Sequence, residues 1–293
     1  MLRGKEVKIM AVFTNQAILS YNDVVTSSNT VTGEIVQVLS STKTALNESY
    51  SAGDVITYAI SITNSGDTAY NGITLTDDLG AYEFGGDSLV PLTFADNGVL
   101  FYLDGVLQAD PEVNAGPPLT VGPISIPARS NAIIIYRATV NRFAPLTLSG
   151  RIDNTVALTG VGITTPITAS GTISAASEPM LVISKAIFPS QIVENGRISY
   201  TFTIENMGNA PADADANIVV SDLFDPILNS IQVFVNGTAV SSPETYLYDE
   251  ASGQFSTVEG EITVPAATYT QDPVTGVWNV VPGRTVIVVT GNV

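Results

Sequence analysis

Along Thr57-Tyr58-Ala59-Ile60-Ser61-Ile62-Thr63 the large apolar side chains fall on every second position, and Ser199-Tyr200-Thr201-Phe202-Thr203-Ile204 repeats the pattern. That period belongs to a strand with one buried face. Further on, Phe101-Tyr102-Leu103 runs into Asp104-Gly105, and Val233-Phe234-Val235 runs into Asn236-Gly237. Both dipeptides favour two-residue hairpin turns, whose central positions take positive φ. The apolar runs Ile133–Tyr136 and Val286–Val289 follow, each after a Pro-containing turn. Many short strands without a helical stretch predict an all-β chain: two immunoglobulin-like Greek-key β-sandwiches in tandem.

The two halves repeat each other, and a repeat decides the architecture before single strands do. Leu39-Ser-Ser-Thr-Lys43, Gly53-Asp54, Tyr58, Asn64-Ser-Gly66 and Ile73-Thr-Leu-Thr-Asp77 recur as Leu181-Val-Ile-Ser-Lys185, Asn195-Gly196, Tyr200, Asn206-Met-Gly208 and Ile218-Val-Val-Ser-Asp222. A Lys on a first strand, a Gly-Asp-x-x-x-Tyr strand ending in Asn-x-Gly, then an apolar strand ending in Thr-Asp-x-Leu resembles the conserved-repeat domain of bacterial cell-surface proteins, domain of unknown function eleven. The second copy departs from it, with Asn195-Gly196-Arg197 for Gly-Asp and Ser221-Asp222-Leu223 for Thr-Asp-x-Leu. The resemblance covers the head of each copy and implies an extended extracellular array of sandwiches without enzyme activity.

The copies end differently. The first continues through Asp153–Ile173, which reads as a closing strand pair, whereas the second stops at Val293. The segment Thr14–Ile35 aligns with that closing pair, Asn15 on Asn154 and Gly33 on Gly171, with one inserted residue. Residues 10–37 are therefore expected to be a donor segment, 38–178 a complete sandwich, and 179–293 a sandwich lacking its closing strands. A sandwich without its last strands exposes apolar surface and unpaired backbone groups. The segment 10–37 of a neighbour would fill the gap by β-augmentation, with Ala17, Ile18, Leu19, Tyr21, Val31 and Ile35 meeting Val286 and Val288. Closure within one chain and a truncated end are the competing readings.

Composition narrows the functions. The 293 residues carry 28 acidic against 11 basic side chains, a net charge of −17, and no Cys or His. The charge repels nucleic acid and anionic lipid. Thiolate, imidazole and Cys/His zinc chemistry is excluded, and no cofactor is expected. The loop acids Asp213, Asp215, Asp222 and Asp225 are candidates for Ca²⁺, although no calcium-loop motif is present. No apolar run is long enough for a membrane-spanning helix, and none follows the N-terminal charges as a secretory signal requires. Residues 1–9 are expected to be a non-native leader: Lys5-Glu6-Val7 can be encoded as a ribosome-binding sequence placed before Met10.

Beyond that leader the only lysines are Lys43 and Lys185, at equivalent positions of the two copies. Each is expected to pair with an Asp, Lys43 with Asp77 and Lys185 with Asp222. A sharper expectation is an isopeptide crosslink, in which a desolvated Lys attacks an Asn amide polarised by a protonated carboxylic acid. The trios would be Lys43, Asp77 and Asn154 within the chain, and Lys185, Asp222 and a neighbour's Asn15 between chains. Trp278 reads as a strand residue packing inward. The expected function is a structural subunit of an extracellular or spore-surface filament, its partner a copy of itself; the alternative is an adhesin or ligand-binding stalk module.

Overall fold

The structure, a computed structural model, describes residues 8–95 and 98–293. Residues 1–7 of the expected leader lie outside the described residues, while Lys8 and Ile9 pair with Gln37 and Val36. The chain opens with a long hairpin: β1 (Lys8–Asn15) pairs with β4 (Val31–Gln37), and β2 (Ile18–Tyr21) with β3 (Val24–Ser27). Asn22 and Asp23 turn it with φ of 41° and 62°.

The first sandwich follows. Its strands are β5 (Leu39–Ala45), β6 (Val55–Asn64), β7 (Tyr70–Asp77), β8 (Leu100–Leu103), β9 (Leu119–Ile126), β10 (Asn131–Val140), β11 (Arg151–Thr159) and β12 (Ile167–Ala175). One sheet runs β8-β10-β6-β5, the other β9-β7-β11-β12, with short strands at the edges. This is the strand order of an immunoglobulin-type sandwich. The alternation in β6 puts Ile56, Tyr58, Ile60 and Ile62 in the core, and β10 answers with Ala132, Ile134, Tyr136 and Ala138.

The second unit comprises β13 (Leu181–Phe188), β14 (Arg197–Asn206), β15 (Ser221–Leu223), β16 (Asn229–Val235), β17 (Gln254–Thr257), β18 (Thr268–Gln271), β19 (Trp278–Val281) and β20 (Gly283–Asn292). Its first sheet, β13-β14-β20-β16, matches β5-β6-β10-β8 strand for strand. In its other sheet β15 pairs with β17 alone, on the side where β7 pairs with β9. Residues 179–293 build no counterpart of β11 and β12. The turns read from sequence close both β8 and β16: φ is 48° and 81° at Asp104-Gly105, 49° and 81° at Asn236-Gly237.

The β18–β19 hairpin reaches back to the first sandwich. Trp278 donates its backbone N–H to the Arg142 carbonyl at 3.1 Å, and Gln271 Nε2 donates to Tyr82 Oη at 2.8 Å. Gly276 lies so close to Leu89 that a Cβ would come within 2.2 Å of its side chain. Trp278 is a strand residue with a buried ring nitrogen, and its strand also serves the junction between the two units.

Candidate functional site

The sharpest feature of the first sandwich is a polar cluster inside an apolar core. Lys43 points inward from β5, directly across from Ile60 on β6, because odd positions of β5 share the face of Leu39. Asp77 closes β7, Tyr136 lies opposite Tyr58 in the β10–β6 pair, and Asn154 sits on β11. Lys43 Nζ donates to Asp77 Oδ2 at 2.7 Å and Tyr136 Oη donates to the same oxygen at 2.8 Å. Asn154 Nδ2 donates to Tyr136 Oη at 2.8 Å. The Leu79 N–H donates to Asp77 Oδ1 at 3.1 Å. The ammonium also lies 5.0 Å from the Tyr58 ring centre and 5.8 Å from that of Tyr136.

Burial governs the charges here. Desolvation brings Lys43 down from the ordinary lysine value to about 8, against the opposing pull of Asp77. The same desolvation raises Asp77, although Lys43, Tyr136 and the Leu79 N–H all favour its carboxylate. The two titrations are drawn towards each other, which makes the neutral amine–acid pair accessible. Asn154 Oδ1 and Tyr58 Oη are buried without a hydrogen-bond partner, a state that costs about 1–3 kcal/mol per group.

The second unit repeats the first half of this arrangement and leaves it open. Lys185 contacts Asp222 and lies 4.4 Å from the Tyr200 ring centre. Val289, opposite Tyr200, stands where the first sandwich has Tyr136, and no residue of this unit supplies an Asn. Leu39 is 2% exposed, but its counterpart Leu181 is 38% exposed; Ile183 and Ile187, on the same inward face, are 58% and 47% exposed. The cause is the missing strand pair. In the first sandwich β12 lies over β5 so closely that a Cβ on Gly171 would stand 3.3 Å from the Lys43 carbonyl oxygen, and β11 pairs with β7, Val156 opposite Asp77. In the second, a slot bordered by Ile183, Lys185, Phe202, Val220 and Asp222 is uncovered, and the outer edge of β15 is unpaired among the described residues.

The hairpin residues singled out in the sequence, Ala17, Ile18, Leu19, Tyr21 and Val31, are all exposed; of Ile35 only the backbone is described, paired with Ala11. One face of the β1–β4 ribbon carries Phe13, Asn15, Val31 and Gly33, and the other carries Val12, Thr14, Thr32 and Glu34. The register corrects the sequence alignment. Asn154 lies opposite Gly171, but Asn15 lies opposite Val31, and Gly33 lies opposite Phe13, whose ring covers it. A two-residue Asn22-Asp23 turn connects the hairpin, whereas a longer loop joins β11 to β12. Val286 and Val288 are not part of the slot: β20 is already paired on both sides, and these two side chains lie on the outer face of its sheet. Among the described residues no three carboxylates gather to hold a cation, and Asp222 is engaged by Lys185.

Sequence reading missed Tyr136 and Tyr58 as members of the cluster. The available signal was a tyrosine in an otherwise aliphatic strand, on the parity of the buried Ala132 and Ile134.

No protein-family model matches the chain, and no curated protein matches its sequence. Solved structures similar to it include the pilus backbone of Streptococcus pneumoniae, 13% identical with a TM-score of 0.33 over 83% of this chain and 55% of that one. The 35 kDa C-terminal fragment of the major pilin of Streptococcus agalactiae is 13% identical, TM-score 0.34, over 78% and 79%. The collagen-binding domain of a Staphylococcus aureus adhesin is 11% identical, TM-score 0.30, over 48% and 98%. The chain spans about half the length of the pneumococcal pilus backbone. With TM-scores of this size, any functional reading rests on this chain's own residues.

Proposed function

We propose that the chain is a structural subunit of an extracellular or surface filament, joined head to tail by donation of its N-terminal hairpin into the slot of a neighbour's second sandwich. The observation that carries this reading is the pairing of an uncovered Lys185–Asp222 slot with an exposed ribbon that bears an Asn on its more apolar face. Donated strands would satisfy the free edge of β15 with backbone hydrogen bonds and cover Leu181, Ile183 and Ile187. Because donor and acceptor are different surfaces, each added subunit presents a new slot, and assembly is open unless rotation closes a ring. Docking as β11–β12 dock requires β4 to slide by two residues, bringing Gly33 opposite Asn15 and over Lys185. An even shift keeps every side chain on its face.

The test is negative-stain electron microscopy with sedimentation of the wild-type chain and of a variant lacking residues 10–36. Filaments from the wild type and monomers from the deletion are expected. Filaments that persist in the deletion variant overturn strand donation. A wild-type chain that stays monomeric at high concentration favours the other reading, an adhesin or ligand-binding stalk module.

A further inference from the structure

We infer that the first sandwich crosslinks itself, Lys43 Nζ forming an amide bond with Cγ of Asn154 under the action of Asp77. This goes beyond filament assembly and does not depend on it, because every participant lies within residues 39–175.

Three structural observations lead there. The amine and the amide belong to strands of opposite sheets, β5 and β11, yet both connect to one oxygen, Asp77 Oδ2: Lys43 directly at 2.7 Å and Asn154 through Tyr136 Oη by two contacts of 2.8 Å. All are sealed from water, with Asn154 at 0%, Asp77 at 2% and Lys43 at 5% exposure. Finally, Asn154 Oδ1 is a buried acceptor with no hydrogen-bond partner, in an amide whose Nδ2 is linked through Tyr136 Oη to the Asp77 carboxyl group, which would become a donor on taking a proton. A static ion pair leaves that oxygen orphaned; a protonated Asp77 can satisfy it, and doing so polarises the carbonyl for attack.

The chemistry balances without an oxidant or cofactor. Lys43 passes one proton to Asp77, becoming a neutral amine, and burial favours this transfer in both partners. The Nζ lone pair then adds to Cγ while the Asp77 acid hydrogen-bonds Oδ1. The Cγ–Nδ2 bond breaks, Asp77 relaying a proton from Nζ to the departing nitrogen, and ammonia leaves. The product is a secondary amide joining β5 to β11 and a protonated Asp77 that donates to its carbonyl. Tyr136 acts as a positioning residue, holding the amide against the acid.

The experiment is intact mass of the full-length chain after denaturation, followed by peptide mapping. The wild type is expected to be lighter than its sequence by one ammonia per crosslink, and to yield a branched peptide joining Lys43 to Asn154. Succinimide formation at Asn71-Gly72, Asn97-Gly98, Asn195-Gly196 or Asn236-Gly237 loses the same mass, so the branched peptide is the deciding signal. Asp77→Asn, which keeps both reacting side chains, and Asn154→Ala should each abolish it. The chain lacking residues 10–36 should retain it, which separates this inference from strand donation. A folded wild type without the branched peptide overturns the proposal, as does an unchanged branched peptide in Asp77→Asn.

Discussion

Lys43 and Lys185 occupy the same position of a repeated strand, and their surroundings differ because one has a roof. Side-chain exposure is 0% for Lys43 and 41% for Lys185. For the buried one the physics is demanding: removing one partner of a buried pair leaves an uncompensated charge, at a cost of about 3–5 kcal/mol. In an Asn154→Ala background, where no crosslink forms and the ion pair persists, Asp77→Ala is therefore expected to destabilise the first sandwich by roughly that amount, read as a lower denaturation midpoint. A pH series tests the state of the amine. In Asn154→Ala, which leaves Lys43 with nothing to attack, the folded lysine titrates at about 8 and the unfolded one at its ordinary 10.5. Between those values the unfolded chain binds the extra proton, so stability should rise with pH above about 8. Burial also raises Tyr50, Tyr58 and Tyr136 above the ordinary 10.0. Unfolded tyrosines lose protons first, so the slope reverses above about 10. In the crosslinked wild type Lys43 no longer titrates, and the rise is expected to be absent.

At the scale of elements, the contrast lies between two ribbons, β11–β12 in place and β1–β4 standing free. Gly171 permits the first to sit on β5, since a Cβ there would already crowd the Lys43 carbonyl. Gly171→Val should cost about 1–3 kcal/mol by overpacking, measurable by chemical denaturation. Gly33 offers a cleaner separation of folding from assembly. In the free hairpin the nearest atoms to a Cβ at Gly33 belong to the Phe13 ring, a side chain that can move. Once β4 slides into a neighbour's slot, the same Cβ would press on the Lys185 backbone. Gly33→Val is therefore expected to leave thermal unfolding of the monomer unchanged and to prevent filament growth, checked by calorimetry and electron microscopy on one preparation.

For the whole molecule, the junction between the sandwiches matters as much as either slot. Asn209 Nδ2 donates to the Leu146 carbonyl at 3.0 Å, and the β18–β19 hairpin adds the contacts of Trp278, Gln271 and Gly276. These links oppose bending between units, as the proposed filament role would require. The chemistry inferred for the first sandwich extends to the assembly. A donor Asn15 brought beside Lys185 and Asp222 would complete the second trio, and filaments so joined should survive boiling in detergent. Lys185→Arg and Asn15→Ala should each reduce them to monomers on a denaturing gel while preserving filaments in native buffer. Detergent-labile wild-type filaments would leave strand donation intact and remove the weld.

The sequence by itself determined the β period, the two copies, the Asp-Gly and Asn-Gly turns and the pairing of Lys43 with Asp77, because alternation, repetition and turn chemistry are local properties. It also marked Asn154, through the repeat. What it could not determine is how residues far apart in the chain meet. Tyr136 joins the cluster only because β10 lies against β6. Trp278 serves the junction only because its hairpin crosses to the other unit. Val286 and Val288 lie away from the slot because β20 has neighbours on both sides. The hairpin register, too, was decided by how β1 and β4 pair, two residues from the alignment. Alternation says which face a side chain takes; packing of sheet on sheet says what that face meets.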